Sequence, residues 1–196
     1  YYTAVRYLKE NAENINTIVD GLCEQSQAMI SSEDGITFDN FNGKKQIIPP
    51  VTDLEIGHPY ECRDPKVWRE NGRYFMCIAS SYKKEEGVLL IYTSDDGENW
   101  TYLNRLQDKQ FGTVLECPDV FCIDGQHILI ASPIGVLKDT DYPGNQSTMQ
   151  KLSFDAEDGS MALESEAQFL DYGMDLYAPQ SCIDEAGRRC VIAWVR

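Results

Sequence analysis

Three times in this sequence a proline is followed by an apolar, strand-like run, a tight turn and a second apolar run. Pro65-Lys66-Val67-Trp68 passes through Asn71-Gly72 into Tyr74-Phe75-Met76-Cys77-Ile78-Ala79-Ser80. The segment from Pro118 through Asp124-Gly125 to Ser132 repeats it, and Pro179 to Trp194 is a third copy. The prolines lie 53 (118 − 65) and 61 (179 − 118) residues apart. Asn-Gly and Asp-Gly are the dipeptides of type I′ hairpins, because both central residues of that turn take positive φ. Short strands recurring at roughly 40 to 50 residues or more are the pattern of propeller blades. The expected fold is all-β, a β-propeller or part of one.

The punctuation between strands supports the same reading. Ser32-Glu33-Asp34-Gly35-Ile36-Thr37-Phe38 and Ser94-Asp95-Asp96-Gly97-Glu98-Asn99-Trp100 both read as Asp boxes. In such a turn the carboxylate accepts from nearby amides, the glycine supplies positive φ and the aromatic packs beneath the blade, so the role expected is structural. Tyr1–Tyr7 reads as a strand that starts without its partner, Leu8–Gln25 as a polar connector and Gln27–Ser32 as the next strand. Asn40–His58 reads as a crossing loop. One blade is expected from Glu61 to Trp100. The next runs from Glu116 to about Phe154, with a Pro143-Gly144 loop inside it, and the third copy stops one hairpin into a blade. Both ends look cut on this reading.

Charge narrows the partners. Asp and Glu total 32 against 17 Lys and Arg, a net −15, which repels phosphate backbones and anionic lipid, so neither nucleic acid nor membrane is an expected partner. The seven cysteines form no C-x-x-C pair, and four of them, Cys77, Cys122, Cys182 and Cys190, fall in apolar runs. A reducing compartment, the cytoplasm, is the expectation that follows. His58 and His127 have neither a serine nor a metal-ligand context, so no metal site is expected. The sequons at Asn99 and Asn145 are short patterns and carry little weight.

In a propeller the first strand of each blade lines the central channel, so residues just ahead of aligned first strands converge at one mouth of it. Arg63, Glu116 and Tyr177 share the position two before the proline; Asp64, Cys117 and Ala178 share the next. That predicts two carboxylates, a guanidinium and a phenol around one opening. Paired carboxylates in a polar pocket suit glycoside hydrolysis, where one protonates the leaving oxygen and another attacks or stabilises the anomeric centre. Glu116 is the expected acid, its pKa to be raised by burial and by Asp64 or Asp119.

The blocks Glu61-Cys62-Arg63-Asp64-Pro65-Lys66-Val67-Trp68, Leu115-Glu116-Cys117-Pro118-Asp119-Val120-Phe121 and Asp171-Tyr172-Gly173-Met174-Asp175-Leu176-Tyr177-Ala178-Pro179-Gln180-Ser181 resemble, in this order and spacing, those of glycoside hydrolase family 32. Gln25–Phe38 and Gly187–Trp194 resemble it as well. The resemblance implies a five-bladed propeller and a retaining release of fructose from sucrose, its 6-phosphate or short fructans. By it, Glu116 is the acid/base, Asp64 a transition-state stabiliser, Arg63 and Asp64 grip the fructosyl ring, and Tyr177 lines the pocket. A small carbohydrate is the partner and no cofactor is called for. The family's nucleophile block, N-D-P-N-G, does not occur here. Residues 1–196 are therefore expected to be a partial propeller catalytic domain, from the end of blade two to the middle of blade five. Such a piece is expected to be inactive by itself, the other blades and a β-sandwich coming from the rest of a parent chain. Competing readings are a non-catalytic carbohydrate-binding propeller, an arabinan- or xylan-cleaving glycosidase on a related propeller, and a sialidase, which would need Arg63, Arg73 and Arg105 to converge.

Overall fold

A computed structural model describes residues 1–196 except 10, 15–18, 20–21, 137–145, 174 and 196. Its described residues form four antiparallel sheets. The first has the order β1 (Tyr2–Tyr7), β2 (Cys23–Met29) and β3 (Lys45–Ile48). The second is a four-stranded meander, β4 (Cys62–Glu70), β5 (Arg73–Tyr82), β6 (Glu86–Ser94) and β7 (Thr101–Gln107). The third contains β8 (Val114–Ile123), β9 (Gln126–Ile134), β10 (Thr148–Phe154) and β11 (Met161–Leu163), with β12 (Gln168–Phe169) also pairing β10. The fourth is the hairpin β13 (Leu176–Ile183) and β14 (Arg189–Val195). Up-and-down sheets in succession are propeller blades, and the fold is a partial propeller.

Both expected type I′ hairpins form. Asn71 and Gly72 have φ of 48° and 84°, and Asp124 and Gly125 have 50° and 80°. The two Asp boxes close alike: Asp34 Oδ1 accepts from Ile36 N and Thr37 N, and Asp96 Oδ1 from Glu98 N and Asn99 N. Those backbone donors hold both carboxyls well below the ordinary carboxylate range. Trp100 packs against the core as expected, its Nε1 donating to Gly97 O. Phe38 does not, being 40% exposed.

Four boundaries differ from expectation. β1 does have a partner, pairing with β2 from Tyr2↔Ala28 to Tyr7↔Cys23. β2 begins at Cys23, so the polar connector ends sooner than its composition suggested. The expected crossing loop contains β3, whose Ile48 is buried while Lys45 and Gln46 face solvent. The second sheet runs past Trp100 through β7, a strand with no clean apolar alternation. Pro143-Gly144 and the Asn145 sequon lie outside the described residues.

Apolar packing occurs between sheets. On one face of the second sheet Cys77, Leu89 and Ile91 pack against Leu115, Val120, Leu129 and Leu152 of the third. On its other face Met76, Ile78, Leu90 and Tyr92 meet Ile48 and Val51. β5 and β6 are thus buried on both sides and read as nearly continuous apolar runs instead of alternating ones. Trp68, Phe75 and Phe154 form an aromatic trio with centroids 4.9 to 5.7 Å apart, joining the second and third sheets.

One irregularity recurs and positions everything that follows. β4, β8 and β13 each slip register just before the repeated proline, between Arg63 and Lys66, Glu116 and Asp119, and Tyr177 and Gln180. At each bulge the residue before the proline is left-handed: Asp64 φ 61°, Cys117 φ 49°, Ala178 φ 52°. Each of these residues directs its N–H into the preceding sheet. Asp64 N donates to Thr3 Oγ1 at 2.9 Å, Cys117 N to Asp64 Oδ2 at 2.9 Å, and Ala178 N to Ser132 Oγ at 3.2 Å. An amide freed by the bulge is thereby satisfied across the gap between sheets.

Candidate active site

Because the three bulges sit at one level, the residues preceding their left-handed positions meet. Arg63 Nη2 donates to Glu116 Oε1 at 3.0 Å, and Tyr177 Oη donates to Glu116 Oε2 at 2.5 Å. Glu116 is therefore held from both sides, by the second sheet and by the fourth. Arg63 makes a further ion pair with Glu61. The Arg63 and Glu116 side chains are 20% and 22% exposed, a setting in which a charge-assisted bond is stronger than on an open surface. Burial works against the charge of Arg63, but Glu61 and Glu116 outweigh it and hold the guanidinium protonated well above its ordinary range.

Asp64, the next residue, has a different partner. Its Oδ2 accepts from Cys117 N and, at 3.5 Å, from Cys117 Sγ. Together with Tyr2, Thr3, Pro65, Cys117 and Gln180 it lines a cleft of about 410 Å³. Burial, then the nearby charges of Asp64 and Glu116, push the Cys117 thiol up to about 12. A larger cavity of about 570 Å³ lies farther along the same strands, beside Trp68, Phe121 and Ile183; none of Arg63, Asp64, Glu116 and Tyr177 lines it.

The structure thus brings Arg63, Glu116 and Tyr177 into contact, while Asp64 is bonded to Cys117 and lines the adjoining cleft. It does not bring Asp119 to Glu116. Asp119 Oδ2 instead accepts from Lys66 Nζ at 2.9 Å and from Ser181 N at 2.5 Å, bonds to the second and fourth sheets. Nor do the three arginines converge. Arg73 stands at the far end of the β4–β5 hairpin, seven residues along β4 from Arg63, which is about 23 Å of extended chain. Arg105 stacks on Tyr82 with its guanidinium 4.5 Å from the ring centroid. No arginine cluster of the kind a sialidase needs forms from these three.

Several supporting residues escaped the sequence reading. Glu61 braces Arg63, and Thr3 receives the Asp64 amide. Gln25 Oε1 accepts from Cys62 N at 2.6 Å while Gln27 Nε2 donates to Cys62 O at 2.9 Å, fastening the start of β4 to the first sheet. Gln27 is fully buried, and a glutamine two residues from another on one strand face was the available signal.

Chemically, the arrangement presents one carboxylate with a fixed orientation and a second lining an adjoining cleft. A carboxyl group oriented by two donors can exchange a proton with a bound oxygen along a defined direction.

Comparison with known proteins places the chain in a family. Residues 9–196 match the family described as Glycosyl hydrolases family 32 N-terminal domain. A probable sucrose-6-phosphate hydrolase of Psychromonas ingrahamii is 35% identical over 175 residues, covering 87% of this chain and 30% of that protein. The sucrose-6-phosphate hydrolase of Bacillus subtilis is 34% identical over 187 residues, covering 90% and 37%. Among solved structures, a family 32 β-fructofuranosidase of Bombyx mori superposes with a TM-score of 0.77 at 30% identity, covering 92% of this chain and 38% of that one. The chain thus spans about a third of the length of the curated relatives it matches.

Proposed function

Because the chain belongs to glycosyl hydrolase family 32, we propose that it forms part of the catalytic propeller of a retaining enzyme that releases fructose from sucrose, sucrose 6-phosphate or a short fructan. The observation that carries the proposal is the clamp on Glu116, whose two carboxylate oxygens are held by Arg63 and Tyr177 from different sheets. Relatives that carry the name sucrose-6-phosphate hydrolase favour the disaccharide and its phosphate over longer fructans as substrate.

In this reading Glu116 gives its proton to the glycosidic oxygen as the bond to the fructosyl carbon breaks, and later takes one from the water that frees the sugar. Tyr177 and Arg63 keep the carboxylate aimed through both steps. Asp64, lining the cleft, holds hydroxyls of the fructosyl ring in the geometry of the oxocarbenium-like transition state. The nucleophile of a retaining mechanism stands about 5 to 5.5 Å from the acid, and we assign it to a carboxylate outside residues 1–196, on a blade of the parent chain. Further blades and a β-sandwich belong to the same proposal.

The test is fructose release from sucrose by the full-length protein that carries this chain, beside its Glu116→Gln variant. Fructose from the parent and none from the variant is the expected outcome. Absence of fructose from the parent, with sucrose and with sucrose 6-phosphate, overturns the proposal.

A further inference from the structure

Residues immediately after the repeated prolines, Lys66, Asp119 and Gln180, are aligned in sequence and lie one step below the three bulges. Their side chains do not point to separate surroundings. Lys66 Nζ crosses from β4 to Asp119 Oδ2 at 2.9 Å and also reaches Ser181 O on β13 at 2.6 Å. Ser181 N closes the triangle on Asp119 Oδ2 at 2.5 Å. Gln180 Nε2 crosses from β13 to Cys117 O at 3.0 Å and Pro118 O at 3.3 Å. Asp119 has no exposed surface.

Apart from the Lys66–Ser181 bond, all of these end on one short stretch of β8, residues 117 to 119, immediately after Glu116. The second sheet contributes a cation, the fourth a carboxamide and an amide, and the third receives them. Above this layer Asp64 Oδ2 takes the Cys117 N–H. The peptide groups that set the direction of the Glu116 Cα–Cβ bond are therefore tied from both neighbouring sheets, below as well as above. A register slip with a left-handed residue is a locally soft piece of strand, since its ladder bonds are interrupted. Ties at this density are what give it one shape.

We propose that Lys66, Asp119 and Gln180, the last of which also lines the cleft beside Asp64, form a clasp whose work is to position Glu116, so that they act on proton transfer through Glu116 as positioning residues. The inference rests on the functional reading above. Removing a clasp bond lets the bulge relax, and Glu116 then misses the line to the leaving oxygen. Misplacement of a reacting group by about 1 Å costs on the order of 100-fold in rate. The loss falls on both proton transfers of Glu116, and a good leaving group escapes it only in the first, bond-breaking step.

Two variants of the full-length protein test this. Gln180→Met keeps length and volume while deleting the donor to Cys117 O and Pro118 O. Asp119→Asn removes the charge that Lys66 faces. For each, turnover is measured on sucrose, and the burst rate, which reports the first step alone, on a nitrophenyl β-fructofuranoside, whose leaving group departs without a proton. The expected result is a fall in kcat on sucrose of about 10-fold or more with KM within about 3-fold, and a fall in the nitrophenyl burst rate of less than about 3-fold. Gln180→Glu keeps the length but offers a donor only when protonated, so at neutral pH, with its carboxylate repelled by Cys117 O and Pro118 O, sucrose turnover should fall at least as far as in Gln180→Met. Equal losses on the two substrates, or no loss on either, overturn the clasp. Because Gln180→Met strands no buried charge, it decides the matter even if Asp119→Asn does not fold. A parent that hydrolyses neither substrate overturns the functional reading itself, and the clasp with it.

Discussion

Tyr177 Oη and Glu116 Oε2 stand 2.5 Å apart although 61 residues separate them along the chain. Their meeting depends on β8 and β13 bulging at the same level. Tyr177→Phe removes this bond and, among the described residues, leaves the Arg63 bond to orient Glu116. A hydrogen bond to a charged group contributes about 1.5 to 3 kcal/mol, so kcat/KM for sucrose should fall roughly 10- to 150-fold while the melting temperature changes little. An unchanged kcat/KM would show that the contact has no part in turnover.

Glu116→Gln keeps the shape of the side chain and removes the proton it can donate. Sucrose hydrolysis should drop by about 100-fold or more, and hydrolysis of a nitrophenyl β-fructofuranoside should be largely spared in its first step. Burst kinetics on the nitrophenyl substrate would separate that step from the later attack of water. Equal loss in both first steps would argue against Glu116 as the acid.

Asp64→Asn should harm turnover more than ground-state binding, since its proposed contacts tighten as charge develops on the fructosyl ring. Steady-state kinetics on sucrose should show kcat falling with KM nearly constant. A change confined to KM would make Asp64 a binding residue only. The backbone is expected to stay put, because an asparagine Oδ1 can still accept from Cys117 N.

What could be read in advance from the sequence follows from how far each signal travels along the chain. Asn71-Gly72 and Asp34 act on their own backbone, so their turns were legible from a few letters. Arg63, Glu116 and Tyr177 were legible because alignment on Pro65, Pro118 and Pro179 projects them onto one ring. The left-handed backbone at Asp64, Cys117 and Ala178 was not, for these three side chains have no chemistry in common and only one, an aspartate, is enriched at positive φ. β3 was hidden for a different reason: it is a four-residue edge with two exposed polar residues, and tertiary pairing to β2 decides its state. The pairing of Lys66 with Asp119 could have been drawn from the same alignment, since opposite charges occupy equivalent positions. What alignment does not supply is the direction in which each side chain leans.

Cys117 offers a test of the local packing that needs no substrate. With its thiol pushed up to about 12, only about one molecule in 10⁴ is thiolate at pH 8, and thiolate is the species that alkylates. Iodoacetamide should modify Cys117 at least 100-fold more slowly in the folded protein than in urea, as read by peptide mass spectrometry. Rapid labelling in the folded state would show that Asp64 and burial do not shield it.

Asp96 makes an acid-dependent contribution to stability. Its carboxyl is held below its ordinary range by the donors of its own turn, first Asn99. A group depressed in this way stabilises the fold above its unfolded value of about 4, and that contribution fades as pH falls toward the folded value. The melting temperature of Asp96→Ala should therefore lie below that of the parent at pH 7, and the gap should narrow below pH 4. A gap that stays constant with pH would mean the side chain acts through shape alone.

The three left-handed residues before the prolines are an aspartate, a cysteine and an alanine, yet each hands its amide to the sheet before it in the same way. At Ala178 the joint is made by the peptide chain alone, and the letter in that position adds nothing to it. At Asp64 joint and letter are fused, because its carboxylate is the acceptor of the next sheet's amide and the Cys117 thiol reaches the same oxygen. A repeated module that keeps joinery and vocabulary apart at one mouth position and merges them at another leaves the first open to separate change, while a replacement at Asp64 has to remake the joint as well as what the opening recognises.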